Sequence, residues 1–276
     1  MIKYPKPLKK GDKIAIVSPA GHIYPEKVAG AVTVLYNQGW QPQVMPHALG
    51  VSGIYSGTAD ERFSDLEAAF ADPDVRAILC SRGGYGVVHI MDRLSRLDLA
   101  ADPKWVIGFS DISALHALMA SKGVASIHSP MAGQIMLGTD DPDTADLFRI
   151  LRGERPAYTF PAHEYDRQGI AEGKLIGGNV AVLADLINTP YDVFEPGTIL
   201  FIEDVAEPIY KIERILYQLK LNGVLGKLGG LVVGQFTDYK PDDSYEHMYD
   251  MIRDMTAAYS YPVAFNVPVG HVSHNI

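Results

Sequence analysis

The first half of the chain alternates short, wholly apolar runs with segments in which apolar residues recur at helical spacing. Three of the runs are "KIAIV", "VRAILC" and "KWVIG", and each leads into turn-forming or polar residues. Continuous apolar runs of this length are typical of parallel strands that are covered on both faces. Their alternation with helices predicts an α/β fold in which a parallel sheet has helices on both faces.

Helices are expected between and after these strands. Three are marked by apolar residues on one face: Val28, Val32 and Leu35; Phe63, Leu66 and Phe70; and Ile112, Leu115 and Met119. The segment "VVHIMDRLSRL" is expected to form a further helix between the second and third of these. Gly39, which follows the first helical pattern, is a suitable stop for that helix.

The pattern changes after about Gly153, where "GERPAYTFPAHEYDRQGIAEGKLIGG" combines prolines and glycines with little helical periodicity. Beyond it lie apolar strand-like runs, such as "GTILFIEDV" and "LGGLVVGQF", and the amphipathic segment "PIYKIERILYQLKLNG". We expect a second α/β unit whose strands run in mixed directions. The predicted organisation is an N-terminal domain over residues 1–153, a linker over residues 154–170 and a C-terminal domain over residues 171–276.

Composition and charge narrow the classes of function. The 276 residues include 24 Lys and Arg against 33 Asp and Glu, a net charge of -9. Nucleic-acid phosphates bind clustered basic residues, so no nucleic-acid partner is expected. The single cysteine, Cys80, excludes an internal disulfide and a cysteine metal cluster. The apolar run from Ile14 to Val17 is too short for a signal-peptide core, and no segment could span a bilayer. We therefore expect a cytoplasmic protein with no membrane partner.

Ser110 follows the strand "KWVIG" at the point where a helix is predicted to begin. Ligands of open α/β sheets bind beyond the carboxyl ends of strands, and a serine on a tight strand-to-helix turn can act as a nucleophile. Alternatively, Ser110 or Asp111 is an N-cap that accepts hydrogen bonds from the first amides of the helix. The stretch is not a G-x-S-x-G elbow, so these residues alone leave both interpretations open.

The glycine-rich segment "SRGGYG", residues 81–86, lies at the end of the preceding strand. Consecutive glycines let backbone amides approach a ligand, so the turn could hold a phosphate or the oxyanion of a tetrahedral intermediate. Neither G-x-G-x-x-G nor G-K-[ST] is present, which gives a dinucleotide or P-loop site little support. A plain tight turn with Arg82 in solvent is the alternative.

Two further candidates end strands of the second half. Glu203 closes the apolar run "TILFI" and could orient a histidine, although acids just before a helix are also favoured by the helix dipole. His271 follows "VPVG", and imidazole is the usual general base near neutral pH. If Ser110, Glu203 and His271 converge beside an amide pocket from the glycine turn, they meet the requirements of acyl transfer.

The other candidate residues carry weaker signals. Cys80 precedes a glycine turn but is interpreted as a small, inert core residue. His89 and His116 fall within predicted helices and are interpreted as surface or packing residues. His128 follows a short strand, and the sequence is compatible with a place either in the core or in a cleft. His274 lies near His271, but two histidines without a nearby Cys or Asp do not predict a metal site.

Five segments together, "RGGYG", "GFSDISALH", "GGN", "IEDVAEPIYKIERIL" and "VPVGH", resemble the LD-carboxypeptidase family of Ser-Glu-His peptidases, which includes the microcin-immunity hydrolases. The likeness begins at "GDKIAIVSPAG" and runs to the last residues. Its most specific part is "RGGYG" followed by "G-[FY]-S-D". The chain differs from the family pattern at Ser129, where a glycine is usual, and after His271, where relatives usually continue into another strand.

The resemblance implies a role for each matching residue. The nucleophile matches Ser110, the acid matches Glu203 and the base matches His271. The oxyanion hole is implied to consist of the backbone amides of Gly84 and Asp111. The residues implied to line the substrate cleft are Arg82, Tyr85 and Asn179. No metal or other cofactor is implied.

The resemblance also implies a fold and an activity. An N-terminal domain like the class I glutamine amidotransferases would be joined to a smaller, β-rich α/β domain, often in a homodimer. The implied enzyme is a serine carboxypeptidase that cleaves the bond between an L-diamino acid and the terminal D-alanine of muropeptides in cell-wall recycling. The sequence does not indicate which diamino acid is preferred.

Two other functions stay open. One is a microcin-immunity-type hydrolase of aminoacyl-nucleotide toxins, which is ranked lower because Tyr165 is the only aromatic residue between Pro161 and Gly177 that could stack on a base. The other is a non-catalytic small-molecule binder with two α/β units.

Overall fold

The computed structural model describes residues 2–275. The chain forms two compact units, one ending at Ala157 and the other spanning Tyr158–Asn275. The first unit is built on a five-stranded sheet and the second on a four-stranded sheet. Within the described residues, none of the helices has both the length and the apolar character required to cross a membrane.

The first unit alternates strands and helices as its apolar pattern predicts. In chain order these are β1 (Lys13–Val17), α1 (Pro25–Asn37), β2 (Gln41–Val44), α2 (Ala59–Ala71), β3 (Val75–Cys80), α3 (Met91–Leu94), β4 (Trp105–Gly108), α4 (Ser113–Ser121), β5 (Ile127–His128), α5 (Ala132–Ile135) and α6 (Pro142–Leu151). Helix α2 begins with a capping box, in which Thr58 and Glu61 each bind the backbone N–H of the other.

One predicted helix of this unit is shorter than expected. The segment "VVHIMDRLSRL" forms a one-turn 3₁₀ helix, Val87–Ile90, followed by the short α3. Two consecutive β-branched residues, Val87 and Val88, disfavour a regular α-helical start because their side chains are stiff at χ1.

The strands of the first sheet are all parallel and lie in the order β2-β1-β3-β4-β5. Strand β3 is buried at every position but one, as expected for a strand covered on both faces. In this strand order, the chain leaves β1 toward β2 on one side and leaves β3 toward β4 on the other, so the order of the strands reverses between β1 and β3. A crevice for a ligand is therefore expected beyond the carboxyl ends of β1 and β3, where the glycine-rich turn begins.

One face of this sheet is covered by α1 and by residues of α5 and α6. The packed side chains include Leu35, Trp40, Ile107 and Phe148, each almost fully buried. The rings of Trp40 and Phe148 meet edge to face with centroids 5.1 Å apart. Full burial of a large apolar side chain contributes about 1.5–3 kcal/mol, so this layer holds the sheet rigid beneath the loops at its carboxyl edge.

The second unit contains β6 (Leu175–Asn179), α7 (Val180–Ala184), β7 (Ile199–Val205), α8 (Ile209–Leu221), α9 (Val224–Lys227), β8 (Gly230–Thr237), α10 (Met248–Thr256) and β9 (Val263–Ala264). The expectation of mixed strand directions is wrong, because every strand pair of this sheet is parallel. A helix intervenes between each strand and the next, and such crossovers return the chain in the same direction. An isolated antiparallel bridge joins Arg167 to Val263 outside the ladder.

Candidate active site

Ser110 lies on a sharp turn directly after β4. The strand ends at Gly108, and a one-turn 3₁₀ helix spans Ser110–Ile112 before α4. Ser110 has a φ of 67°. This left-handed conformation costs a residue with a Cβ about 1–2 kcal/mol, and strain of this kind concentrates at functional sites.

The N-cap interpretation of Ser110 and Asp111 does not fit this geometry. Within residues 2–275, neither the 3₁₀ helix nor α4 has a side-chain capping hydrogen bond. The Ser110 side chain is half-buried, and the Asp111 carboxylate instead accepts a hydrogen bond from the backbone N–H of Val87 at 2.9 Å. The turn therefore presents a hydroxyl that the start of the helix does not use.

The glycine-rich turn packs directly against Ser110. A Cβ added to Gly83 would lie 2.7 Å from the Cβ of Ser110 and 2.9 Å from its Oγ, so only glycine fits there. Gly84 has a φ of 119° and approaches Gly21, where an added Cβ would lie 3.2 Å from the Cα. Among the described residues, the backbone N–H of Gly84 has no hydrogen-bond acceptor. Such amides can receive an oxyanion. Gly84 is the residue expected in this role from the family resemblance, whereas the packing of Gly83 on Ser110 is not expected from the sequence.

A buried arginine that is not among the residues expected from the sequence contacts this turn. Arg62 of α2 is 3% exposed, and its Nη1 donates hydrogen bonds to the carbonyls of Pro19 and Gly86, both at 2.7 Å. Burial lowers the pKa of Arg62, and the charge of Asp111 opposes that shift. Burial raises the pKa of Asp111, while the Val87 N–H and the charge of Arg62 lower it. The sequence does hold one signal for this residue, because Arg62 is a charged residue next to Phe63, on the apolar side of a predicted helix.

Arg82 and Tyr85 lie on the exposed side of the same turn. Arg82 Nη1 donates to the carbonyl of His22 at 3.1 Å. The Tyr85 side chain is 50% exposed, and its ring lies 6.2 Å from Tyr55 and 5.2 Å from His89. A cation and an exposed aromatic cluster thus flank the glycines.

Glu203 and His271 form a buried pair in the second unit. The Nδ1 of His271 lies 2.8 Å from the Oε2 of Glu203, whose side chain is fully buried, whereas 22% of the His271 side chain is exposed. Burial raises the pKa of Glu203, an effect opposed by the hydrogen bond and charge of His271. A carboxylate held in this way fixes the orientation of the ring and leaves Nε2 as the atom that can exchange a proton.

A β-bulge and two glycines bring His271 to Glu203. The register between β7 and β8 shifts between Ile202 and Asp204, opposite Gly234. A Cβ on Gly234 would meet the carbonyl of Val269 at 2.6 Å, so glycine lets that segment run against β8. Gly270 has a φ of 134°, and a Cβ there would lie 3.0 Å from the Cβ of Glu203. The segment that carries His271 can therefore lie this close to β8 and Glu203 only because Gly234 and Gly270 have no Cβ.

Asn179 is the register partner of Glu203 on the neighbouring strand. Its Oδ1 accepts from the N–H of Val182 at the start of α7, and its Nδ2 donates to Asp204 at 2.8 Å. Asp204 also accepts from the N–H of Ala181. The side chain is 6% exposed, so in this structure Asn179 links β6, α7 and β7. Its expected place in the substrate cleft stays a prediction.

The remaining candidates take no comparable position. Cys80 is buried, and burial raises the pKa of its thiol far above the ordinary value, which makes it inert. His116 is buried with its Nε2 2.8 Å from the Gly108 carbonyl and its Nδ1 2.9 Å from the Ser126 hydroxyl. Its pKa is lowered to about 4 by burial, so the ring is neutral. His89 is exposed and His128 half-buried. No group of three metal-ligating side chains occurs within residues 2–275.

Comparison with known proteins assigns a family to both halves of the chain. The LD-carboxypeptidase N-terminal domain matches residues 14–129, and the LD-carboxypeptidase C-terminal domain matches residues 172–276. A murein tetrapeptide carboxypeptidase from Pseudomonas aeruginosa is 32% identical over 278 residues, with 95% of this chain and 89% of that protein covered.

Solved structures are similar over nearly the whole chain. A muramoyltetrapeptide carboxypeptidase from Oxalobacter formigenes is 27% identical with a TM-score of 0.85, and the superposition covers 96% of this chain and 91% of that protein's chain. The microcin C7 self immunity protein MccF, in complex with aspartyl sulfamoyl adenosine, has a TM-score of 0.82 at 23% identity, with coverages of 95% and 89%. The likeness to MccF shows the fold alone. The two domain matches, which together cover most of the sequence, establish that this chain belongs to the LD-carboxypeptidase family.

Proposed function

We propose that this protein is a serine carboxypeptidase that hydrolyses the bond between the L-centre of a diamino acid and the terminal D-alanine of murein tetrapeptides. Membership of the LD-carboxypeptidase family supports the class of reaction. The similarity to a murein tetrapeptide carboxypeptidase over 95% of the chain supports the class of substrate.

In the proposed mechanism, Ser110 Oγ attacks the carbonyl carbon of the scissile bond while His271 Nε2 takes the hydroxyl proton. The negative charge that develops on the carbonyl oxygen is bound by backbone N–H groups, for which Gly84 and Asp111 are proposed. His271 then passes the proton to the leaving nitrogen, and D-alanine departs. A water, deprotonated by the same imidazole, attacks the acyl-enzyme, and the proton returns to Ser110 as the shortened peptide leaves. Glu203 holds Nδ1–H and stabilises the imidazolium in both halves.

The observation that carries this proposal is the conformation of Ser110. A serine that only starts a helix needs no positive φ and places its oxygen on an amide of the first turn. Ser110 instead has a φ of 67° and caps neither following helix. The strain is understandable if the turn exists to present the hydroxyl beyond the end of β4.

Substrate recognition is proposed to involve the exposed side of the glycine turn. A carboxypeptidase must bind the free carboxylate of its substrate, and Arg82 supplies an exposed cation next to Gly83. We propose that the guanidinium binds the D-alanine carboxylate, with Tyr85 beside it. The buried position of Asn179 supports an indirect contribution to binding, through Asp204 and β7.

The test measures D-alanine released by the purified protein from a tetrapeptide ending in a diamino acid and D-alanine. We expect turnover by the wild type and none by Ser110→Ala, with an unchanged unfolding midpoint. Ser121→Ala is the matched control, because Ser121 lies at the end of α4 and bonds only to the Leu118 carbonyl in the described structure. Full activity of Ser110→Ala would remove the nucleophile assignment.

Two further measurements separate the alternative functions. A fluorophosphonate should label the wild type at Ser110 only, as mapped by peptide mass spectrometry, whereas a non-catalytic binder should not be labelled. Parallel incubation with an acyl-sulfamoyl adenosine tests the microcin-immunity activity. Hydrolysis of that compound with no release of D-alanine from the tetrapeptide would overturn the proposed substrate.

The cellular setting is proposed from the substrate. We propose that the protein acts in the cytoplasm, on tetrapeptides released during cell-wall recycling, and that it does so as a homodimer, the assembly that the family resemblance implies. Cell fractionation and light scattering of the purified chain test the two statements separately.

A further inference from the structure

Arg62 is a buried cation with an unusual set of partners. Arginine is almost never fully buried unless it is paired, yet the contacts of Arg62 in the described structure are two backbone carbonyls, the His89 ring at 3.3 Å and the face of Tyr55, with no carboxylate at ion-pair distance. Its Nη1 binds two backbone carbonyls, Pro19 after β1 and Gly86 after β3. It therefore joins the two loops that flank the expected ligand crevice of the first sheet.

The carbonyl of Gly86 and the N–H of Val87 belong to the same peptide group. That peptide accepts from Arg62 at its oxygen, at 2.7 Å, and donates to Asp111 Oδ2 at its nitrogen, at 2.9 Å. A cation thus lies at the negative end of the peptide dipole and a carboxylate at its positive end, and hydrogen bonds to charged groups are the strong ones. Arg62 and Asp111 are both nearly fully buried, so water does not weaken either bond.

This peptide links the glycine turn to the residue that follows the proposed nucleophile. On its N-terminal side are Gly83, which packs on Ser110, and Gly84, whose amide has no acceptor among the described residues. On its far side the hydrogen bond ends at Asp111, the residue that follows Ser110. The close approach is specific to glycine, since a Cβ on Gly86 would lie 2.6 Å from Arg62 Nη1. Rotation of this one peptide would move the turn relative to the serine.

We propose that Arg62 is a positioning residue for the oxyanion hole: with Asp111, it clamps the Gly86–Val87 peptide and thereby holds the glycine-turn amides in place beside Ser110. The proposal rests on the proposed serine-hydrolase function. Arg62 contacts no substrate atom in it. Its effect is mainly on the transition state, because the oxyanion forms only after attack and needs the backbone amides in place, whereas the bound substrate contacts the turn through the long side chains of Arg82 and Tyr85, which can adjust to a small displacement.

The experiment compares Arg62→Gln, Arg62→Lys and Asp111→Asn with the wild type in tetrapeptide hydrolysis and in the rate of fluorophosphonate labelling. Removal of one oxyanion donor costs about 10²–10³ in kcat, so a turn that is only displaced should cost about 10- to 100-fold. KM should change less than about threefold, which is the pattern of an interaction made in the transition state. Lysine, which keeps the charge but has one ammonium nitrogen in place of the guanidinium that binds both carbonyls and faces His89, should recover part of the loss.

A structural role alone is separated by a matched control. Arg76 binds Asp102 and the Pro73 carbonyl at the start of β3, the opposite end of the strand from the turn. Arg76→Gln should lower the unfolding midpoint as Arg62→Gln does and leave kcat unchanged. The double variant Arg62→Gln/Asp111→Asn should lose no more activity than the worse single variant, since both act through one peptide.

Each outcome decides between the two hypotheses. Wild-type activity together with an unchanged kcat and labelling rate in Arg62→Gln would overturn the positioning role and leave the proposed function standing. An inactive, unlabelled wild type would overturn both. If Arg62→Gln does not fold, Arg62→Lys carries the test, and a kcat equal to the wild type in that variant and in Asp111→Asn would equally refute the role.

Discussion

Replacing Glu203 by glutamine tests the buried carboxylate–imidazole pair directly. The side chain has nearly the same shape, and Glu203 is fully buried 2.8 Å from His271 Nδ1, so the change removes the charge with little effect on packing. At this contact the two charge centres are about 4 Å apart, which corresponds to about 4 kcal/mol at an effective dielectric constant of about 20. That energy stabilises the imidazolium formed during attack, so its loss lowers kcat by about 10³-fold.

A second effect acts in the same direction. The amide of glutamine can donate to Nδ1, which would leave the proton on Nε2, the atom that must accept the proton of Ser110. The assay is D-alanine release coupled to a D-amino-acid oxidase at saturating tetrapeptide. Glu207→Gln is the matched control, since Glu207 lies just after the same strand and pairs with Lys211 at 3.2 Å on a more exposed surface. We expect its activity to stay within a factor of two of the wild type.

Stability measurements complete this test. Burial raises the pKa of Glu203, so the folded state disfavours its charged form and loses stability as the pH rises through that raised pKa. The neutral glutamine avoids this loss, and Glu203→Gln should therefore unfold at no lower temperature than the wild type at pH 8. The reasoning is refuted if the variant keeps more than about a tenth of wild-type kcat while it is fully folded.

Four other outcomes are expected. Ser110→Gly should be more stable to urea than Ser110→Ala by about 1 kcal/mol, because glycine adopts a φ of 67° freely; equal midpoints would argue against strain. Gly270→Ala, at a φ of 134° and 3.0 Å from Glu203 Cβ, should lose activity and about 1–3 kcal/mol of stability, while normal turnover would show that the segment relaxes. Burial lowers the pKa of His116 to about 4, so the neutral ring contributes up to about 3 kcal/mol to the free energy of unfolding. This contribution is fully present above about pH 6.5 and is lost as the pH falls toward 4. His116→Gln should lack this pH dependence in urea titrations at pH 7 and pH 5. Arg82→Met should raise KM for the tetrapeptide about tenfold or more and leave fluorophosphonate labelling unchanged, and an unaltered KM would assign the carboxylate to another group.

The pattern of apolar residues predicted the first unit well because its strands are short, continuous and covered on both faces. Runs such as "KIAIV" and "VRAILC" became β1 and β3, parallel and buried as expected. The direction of the strands in the second unit was predicted wrongly. Direction depends on the path of each connecting segment as well as on the apolar pattern of the strand, and that path is set by tertiary packing.

The residues of the candidate site could be proposed from the sequence, but the geometry around them could not. Residues at strand ends can be located from the sequence, so Ser110, Glu203 and His271 could be named, and Gly84 and Asp111 with them. The bulge opposite Glu203 and the packing of Gly83 on Ser110 could not, since both result from how close two segments of backbone approach. Arg62 was missed for the same reason, because its Nη1 binds backbone carbonyls, groups that every residue possesses.

By itself, the sequence determined which side chains are available for chemistry and which strands deliver them to the edge of a sheet. Its local patterns of polarity are sufficient for that. Only the tertiary structure argued against a helix cap at Ser110, because the distinction lies in a single backbone angle and in the absence of a capping hydrogen bond among the described residues. It also brought a buried arginine of α2 and the carboxylate of Asp111 to opposite ends of one peptide group in the glycine turn, a contact between segments that are distant along the chain.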